Sequence, residues 1–278
     1  MASLKWIHRP VLREPMAVIA FEGWGDAGES ASLAAAAFLK HLDAKLLATV
    51  DPDEHFDFQV RRPHVSLDST GARSISWPRN ELHHLRMGDQ DVVVVLGEEP
   101  HYQWKKFTNE LVEALNTLGV KRVITLGAFI GQVAHTLPVP LVGSANRPDT
   151  ITLHDLLPSG YEGPTGIIGV LNQALNNLEI DVISVWAAVP HYLSNQEYPP
   201  GTEALAVKAA ELIGVNLDIG HLSTASRDFL STVDDAIEGN DELLRYVGQL
   251  EEDADADIER TDRLVDEIEH FLRDQGNP

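Results

Sequence analysis

The segment from Met16 to Ser30 constrains the fold of this chain more than any other part of its sequence. It reads Met-Ala-Val-Ile-Ala-Phe-Glu-Gly-Trp-Gly-Asp-Ala-Gly-Glu-Ser, so an apolar run ends at Glu22 and an alanine-rich stretch begins after a few residues. A short apolar run that stops at glycines is typical of a buried β-strand, and the alanine-rich stretch is typical of a helix. The segment therefore predicts a strand, a tight turn and a helix, the unit from which parallel sheets are built.

The three glycines of this turn, Gly23, Gly25 and Gly28, have the G-x-G-x-x-G spacing of a dinucleotide-binding loop. In such a loop the pyrophosphate lies over the first helical turn, where free backbone N–H groups attract anions. Here Asp26 and Glu29 occupy that turn with the spacing of a capping box, in which Asp26 accepts a bond from the Glu29 N–H and Glu29 reaches back to the Asp26 N–H. We therefore predict that the protein's own carboxylates fill the helix mouth and that no cofactor binds there.

Two other residues bear on nucleotide binding. Trp24 places bulk between the first two glycines, where a cofactor loop needs clearance. Asp51 follows the next predicted strand, about where a ribose-binding acid is expected. Nucleotide binding is therefore the less favoured of the two interpretations of this loop.

Apolar runs and amphipathic segments alternate as far as residue 189. The predicted strands are 16–21, 45–50, 91–97, 122–128, 139–142 and 181–189, and the predicted helices are 26–42, 102–118 and 165–178. This alternation predicts an α/β protein with three α/β/α layers and a mainly parallel mixed sheet. Residues 65–77 alternate around Ser69-Thr70-Gly71, which predicts a hairpin on the edge of that sheet.

Strand signals stop after Pro199-Pro200-Gly201, and three helices are predicted at 202–213, 220–238 and 240–272, the first with Thr202 as its N-cap. Residues 234–278 contain sixteen acidic and four basic residues. We therefore expect an α/β/α core over 1–218 and an acidic, all-helical C-terminal extension over 219–278. The apolar stripe of the last helix fits packing on its own domain or a coiled-coil contact with another subunit.

Composition excludes several classes of function. The chain has no cysteine, so it forms no disulfide, thiolate nucleophile or cysteine zinc site. Its net charge of −22 repels phosphate backbones and anionic lipid, so we expect neither nucleic acid nor membrane as a partner. No apolar run approaches the roughly 20 residues that span a bilayer, and residues 1–15 lack a signal pattern, so we expect a cytoplasmic protein.

No metal site is predicted either. The acidic run from Asp253 to Asp257 would place Ile258 and Leu264 where a calcium loop requires glycine and glutamate. Because His83 and His84 are adjacent, they would point to opposite sides of a strand and form a poor metal clamp.

The sequence contains no His-Glu-x-x-His, Gly-x-Ser-x-Gly or phosphate-loop motif, so it assigns no catalytic residue. Candidate pocket residues are those that follow predicted strands, because α/β folds place their sites at the carboxyl ends of strands. These candidates are Trp24, Asp26, Glu98, His101, His191 and Tyr192. The alternative is that they are ordinary polar loop residues.

Three segments, Phe21–Gly28, Pro164–Gly169 and Pro190–Leu193 with Pro199-Pro200 after it, resemble the proteasome assembly chaperone family in its bacterial and archaeal branch. The resemblance covers about residues 10–220. It implies an α/β/α core similar to nucleoside phosphorylases and related hydrolases, assembly into homo-oligomers, trimers among them, and eukaryotic relatives that act in proteasome ring assembly. It supplies no catalytic residues.

Two functions of different classes are therefore compared. The favoured one is a non-enzymatic protein-binding or assembly-chaperone-like protein that binds itself and other proteins. The alternative is a phosphorylase- or hydrolase-type enzyme that acts on a nucleoside-like substrate, with Asp26, Glu98, His101 or His191 in an edge pocket. A nucleotide sensor is a third and weaker hypothesis.

Overall fold

The computed structural model describes residues 2–254 and 256, apart from 41–42, 148 and 179. Its strands are β1 Leu4–Trp6, β2 Met16–Glu22, β3 Lys45–Val50, β4 His64–Leu67, β5 Arg73–Ser76, β6 Asn80–Met87, β7 Gln90–Glu98, β8 Arg122–Gly131, β9 Leu141–Ala145, β10 Leu157–Pro158 and β11 Asp181–Pro190. Its helices are α1 Ser30–Leu39, α2 Trp104–Leu118, α3 Asp149–Leu153, α4 Ile167–Asn176, α5 Pro199–Ile213, α6 Gly220–Glu238 and α7, residues 241–254.

Nine of the strands form one sheet in the order β1-β3-β6-β7-β2-β8-β11-β9-β10. Its four central strands, β7, β2, β8 and β11, are parallel to their neighbours within this group. The pairs β1–β3, β3–β6, β6–β7 and β11–β9 are antiparallel. The predicted mixed sheet with a parallel centre is confirmed.

The central strands are apolar at successive positions because helices cover both faces of the sheet. On β2, Ala17 and Ile19 pack into a core with α2 and α4, whereas Val18 and Ala20 pack into a second core with α1 and α5. All four side chains are fully buried. The sheet therefore lies between two helical layers, as the three-layer prediction requires.

The acidic helices α6 and α7 pack against the second of these cores. They contribute buried apolar side chains at Leu222, Val233, Ile237, Val247 and Leu250. The described part of the last helix therefore packs on its own protein. The distal stripe residues Leu264, Ile268 and Phe271 lie outside the described residues, and the boundary at 218/219 stays a prediction.

Two local predictions are wrong. The hairpin of β4 and β5 forms a separate two-stranded sheet instead of extending the edge of the main one. Thr202 does not begin a helix, because α5 starts at Pro199, where proline is favoured in the first turn. Thr202 is buried inside that turn, and its hydroxyl points toward the Tyr198 carbonyl at 3.5 Å.

Candidate functional site

The four parallel central strands end together, and the loops that follow them form one surface, here called the carboxyl edge. β7 ends at Glu98, β2 at Glu22, β8 at Gly131 and β11 at Pro190. The six candidate residues all follow β2, β7 or β11 or end one of these strands, so they belong to this edge as expected. Their contacts differ strongly.

Asp26 occupies the mouth of α1, but with a geometry other than the one predicted. Its Oδ1 accepts bonds from the backbone N–H groups of Ala31 at 2.7 Å and Ser32 at 3.1 Å. The predicted capping box with Glu29 is wrong, because Gly28 and Glu29 both take positive φ angles of 60° and 50°. These angles interrupt the helical path within the short turn Ala27–Glu29, so α1 begins at Ser30 and the amides of its second and third residues face Asp26.

The Asp26 carboxylate is buried, and only one of its oxygens is hydrogen-bonded. Oδ2 bonds to no group in the part of the chain that the structure describes. Burial raises the pKa of Asp26 above its ordinary value, against the opposing effect of the Ser32 and Ala31 hydrogen bonds. The prediction that the protein's own carboxylate fills this helix mouth is confirmed for Asp26.

A second helix mouth at the carboxyl edge is filled in the same way. Glu99 Oε1 accepts a bond from the backbone N–H of Ile167, the first residue of α4, at 2.7 Å. The Trp24 ring lies beside this turn, since a side chain at Gly166 would meet Trp24 Cε3 at 3.3 Å. The N-termini of α1 and α4, the two helix mouths that flank this place, therefore already bind a protein carboxylate.

The space between these two turns is very small. A cavity of about 10 Å³ lies there, lined by Phe21, Gly25, Glu99, Gly166, Ile167, Ile168 and Trp186. This volume accepts about one water molecule, whereas ligand pockets hold about 300 Å³ or more.

A larger opening of about 560 Å³ lies at the opposite edge, between residues 86–90 and 214–216. That position is away from the strand ends where α/β folds bind ligands.

Glu98 belongs to a charged cluster at the ends of β7 and β2. Glu22 and Glu98 are register partners on these strands, and Arg61 pairs with Glu98 and, at 3.3 Å, with Glu22. Burial and, next, the charge of Glu98 raise the pKa of Glu22. The two carboxylates make this part of the carboxyl edge acidic, and the Arg61 guanidinium bridges them.

His101 and His191 lie too far apart to share a pocket. His101 Nδ1 accepts a bond from the Asp57 N–H at 2.9 Å, and His191 Nε2 lies 3.3 Å from the Tyr246 hydroxyl. The strands that precede them are separated by three inter-strand steps, or about 14 Å. Asp51 is also remote from the glycine turn, because β6 and β7 lie between β3 and β2.

Tyr192 takes part in a hydrogen-bonded line with two residues that the sequence analysis missed. Its hydroxyl accepts from the His135 N–H at 3.0 Å and bonds His135 Nδ1 at 2.7 Å, and His135 Nε2 lies 3.1 Å from Asp234 Oδ1. One arrangement satisfies all three contacts: Tyr192 donates to Nδ1, and Nε2–H donates to Asp234.

This line has the order of a nucleophile, a base and an orienting acid. Burial, however, raises the pKa of Tyr192, so its hydroxyl keeps its proton. Because Asp234 belongs to α6, the line ties the acidic helices to the carboxyl edge. We interpret the line of Tyr192, His135 and Asp234 as a structural contact that holds α6 against the carboxyl edge, and we call it the clasp.

Replacing Tyr192 with phenylalanine is expected to lower the free energy of unfolding by about 1–3 kcal/mol, because the buried His135 loses the partner of its N–H and Nδ1. Urea denaturation measures this change. Tyr246→Phe is the matched control, since the hydrogen bond of its hydroxyl within the described residues is the exposed 3.3 Å contact with His191, and it should change stability by less than about 0.5 kcal/mol. Equal losses in the two variants would contradict the clasp.

Large apolar side chains are exposed at the carboxyl edge. Trp24 is 62% exposed, and Ile130, Phe129 and Tyr161 are exposed as well. Phe129 and Ile130 were not among the predicted site residues, because the predicted strand ends at Ala128, although the apolar run continues to Ile130. Exposed aromatic and aliphatic groups at a loop surface are typical of protein-binding sites.

Metal-binding clusters and membrane-spanning helices are both absent from the described residues. No group of three histidine, aspartate or glutamate side chains there is arranged to bind a metal ion. Among the helices in these ranges, none is long and apolar enough to cross a bilayer.

Comparison with known proteins identifies relatives of the whole fold. A PAC2 family protein from Streptomyces avermitilis is 41% identical, with a TM-score of 0.77 over 84% of this chain and 99% of its own. A proteasome-assembly chaperone homologue from Mycobacterium tuberculosis is 34% identical, with the same TM-score and coverage of both chains. A protein of unknown function from Corynebacterium glutamicum is 26% identical, with a TM-score of 0.86 over 93% of this chain and 99% of its own.

No curated protein matches the sequence significantly. The family resemblance inferred from the glycine turn and the two proline-containing segments is confirmed. The model of the PAC2 family matches residues 20–237, which is most of the sequence, and the chain therefore belongs to the PAC2 family.

Proposed function

We propose that this protein is a non-enzymatic, assembly-chaperone-like protein that binds other proteins through its carboxyl edge. The observation that carries the proposal is the filling of both helix mouths, by Asp26 and Glu99, around a cavity of about 10 Å³. An enzyme of the phosphorylase type needs a binding site for an anion and a nucleoside at this place. Support also comes from the Mycobacterium tuberculosis relative, which is described as a proteasome-assembly chaperone homologue.

The surface around Trp24 suggests what kind of partner would fit. Its exposed indole shares the carboxyl edge with the exposed side chains of Phe129 and Ile130. Glu22 lies two residues before Trp24 and interacts electrostatically with Glu98 and Glu29, so the surroundings are acidic. A protein surface with an apolar pocket and a basic rim complements such a patch. Subunits of an assembling complex in the cytoplasm are partners of this class, and a further copy of the chain is another.

The proposal is tested by following the assembly of proteasome α and β subunits, from the organism that encodes the chain, on native gels. We expect the protein to change the rate of assembly and Trp24→Ala to reduce that effect roughly tenfold, since aromatic anchors dominate interfaces. Val11→Ala is the control, because Val11 is nearly fully exposed and lies before β2, toward the opposite edge. An assembly rate that the wild-type protein leaves unchanged would count against the chaperone role.

A thermal-shift screen with nucleosides, nucleotides and inorganic phosphate tests the enzyme alternative. A ligand at ten times its dissociation constant adds about 1.4 kcal/mol of stability, which is a visible shift. We expect none of these compounds to stabilise the protein. A reproducible shift with a nucleoside or phosphate would favour the phosphorylase or hydrolase alternative, and a shift with nucleotides alone would favour a sensor.

A further inference from the structure

The indole ring of Trp186 lies at the carboxyl edge, between the glycine turn and the N-terminus of α4. Gly127 on β8 is the register partner of Trp186, and a Cβ added to Gly127 would lie 2.4–2.6 Å from three carbons of the ring. A Cβ added to Gly25 would lie 3.1 Å from Trp186 Cη2. The backbone therefore approaches this partly buried ring more closely than a residue with a side chain would allow.

These contacts give the glycine spacing of the turn a use within the protein. In a dinucleotide-binding loop the second glycine lets the backbone approach the pyrophosphate. Here the second glycine, Gly25, lets the backbone approach the Trp186 ring. The other two glycines of the motif also lie against side chains of this chain, Gly23 against Glu99 and Gly28 against Tyr198. The motif therefore accommodates the protein's own groups where a cofactor would lie.

A line of hydrogen bonds determines which polar group fits at this place. Trp186 Nε1–H donates to Ser184 Oγ at 2.9 Å. Ser184 Oγ lies 2.9 Å from Thr125 Oγ1, which lies 3.1 Å from Asn172 Oδ1. Because Asn172 Oδ1 only accepts, Thr125 donates its single proton to it, and Ser184 donates its own proton to Thr125. Ser184 can then only accept from the ring, so this place requires an N–H donor.

The surroundings of the ring are otherwise apolar or unfavourable for an anion. Phe21, Ile167 and Ile168 are buried and line the small cavity beside the ring. Glu99 lines it as well, and its Oε1 already accepts from the Ile167 N–H. A ligand with several polar groups would leave them unpaired here, and a phosphate would meet the Glu99 carboxylate. The surroundings therefore favour a planar aromatic group with one N–H.

We propose that this place, here called the indole site, is a binding site for a planar bicyclic aromatic group with a single ring N–H. Trp186 is its resident occupant. Because the ring is attached to β11, it competes with any free ligand as an intramolecular group, and the wild-type protein has no vacancy for one. This inference goes beyond the proposed function and stands whether or not the protein assists assembly.

Trp186→Ala should vacate the indole site and allow free indole to bind, as measured by titration calorimetry. Indole at ten times its dissociation constant should multiply the folding equilibrium constant about 11-fold, which scanning calorimetry detects as a higher melting temperature. The wild type should bind no indole. Trp104→Ala is the matched control, because Trp104 is also partly buried and its N–H also donates to one acceptor, the Pro100 carbonyl at 2.6 Å. It should gain no binding.

Benzofuran tests the requirement for an N–H donor, because it has the shape of indole with an oxygen in place of the N–H. It should bind Trp186→Ala roughly 10-fold more weakly than indole, since its oxygen would face the accepting lone pair of Ser184. Adding Ser184→Ala to Trp186→Ala removes that acceptor and should abolish the preference for indole.

Three results would overturn the proposal. A folded Trp186→Ala variant that binds no indole would show that the space collapses without the ring. Equal binding by Trp104→Ala would mean that any lost indole leaves such a space. An unchanged preference for indole after Ser184→Ala would mean that Ser184 does not select the N–H. If Trp186→Ala is unfolded alone, indole should restore its resistance to limited proteolysis, and a failure to do so would also overturn the proposal.

Discussion

Replacing Gly28 with alanine is expected to lower the free energy of unfolding by about 3 kcal/mol. Gly28 has a φ of 60°, which costs an L-residue about 1 kcal/mol or more. An added Cβ would also lie 2.7 Å from Tyr198 Cβ and 3.1 Å from Tyr198 N. Neither side can easily move, because the Tyr198 N–H donates to the Gly28 carbonyl at 2.8 Å, and overpacking of this kind costs about 1–3 kcal/mol.

Gly214 provides a control with the same backbone conformation and no crowding. It follows α5 with a φ of 78°, and beyond its chain neighbours nothing in the described part of the protein lies within 4 Å of the place where its side chain would be. Gly214→Ala should therefore lose only the backbone contribution, about 1 kcal/mol. Urea denaturation of both variants separates the two effects. If the losses were equal, the close approach of α5 to the glycine turn would not be the reason for glycine at position 28.

Asp26→Ala is expected to destabilise the protein by about 2 kcal/mol at neutral pH. The substitution removes the acceptor for the Ala31 and Ser32 amides, and a lost N-terminal cap costs about 0.5–2 kcal/mol. Leaving the buried Ala31 amide unpaired adds to this loss. Asp26→Asn keeps a carbonyl oxygen at the same place, so its stability should lie within about 1 kcal/mol of the wild type.

The pair of wild type and Asp26→Asn also predicts a pH dependence. Because burial raises the pKa of Asp26 in the folded state, the folded protein binds this proton more tightly than the unfolded chain. The resulting stabilisation is complete below the ordinary value of 3.8 and is lost as the pH rises through the folded-state value. The wild type should therefore lose stability relative to the Asn variant across this window. Urea titrations at several pH values measure the difference, and a constant difference would contradict the assignment.

The central strands could be predicted from the sequence because burial on both faces leaves an uninterrupted apolar run. Lys45–Val50 matches to the residue, and the predicted strand at 91–97 lies inside β7. The helix α2 was equally clear, since its apolar positions recur at helical spacing and Gly119 ends it in a left-handed conformation. These signals are local, so a single sequence contains them.

Features that depend on distant contacts could not be predicted in the same way. β6 was missed because it is only partly buried: Leu82 and Leu85 face inward, while His83 and His84 pair with Glu81 and Asp91. The hairpin pattern predicted the pairing of its two strands correctly. It could not indicate that the hairpin separates from the main sheet. Apolar and polar residues alternate in the same way in a hairpin that extends a larger sheet and in one that stands apart from it.

The candidate site was predictable in position but not in detail. The rule that sites follow parallel strands placed all six candidates at the carboxyl edge. The bond from Ile167 to Glu99 joins residues 68 positions apart, and His135 is 99 positions from Asp234. Such pairs have no local pattern. The capping prediction at Asp26 failed at Glu29 for a different reason, since the backbone adopts two successive positive φ angles there.

The position of β2 at the centre of the sheet has a consequence for synthesis on the ribosome. Both of its neighbours, β7 and β8, come later in the chain, and the nearer one begins at Gln90. At about 5–20 residues per second, the apolar β2 segment emerges roughly 3 to 14 s before its first partner has been translated. A nascent chain with this order of strands therefore exposes the apolar β2 segment before a partner strand can cover it. The yield of folded protein should depend on the general chaperones that bind such segments during translation.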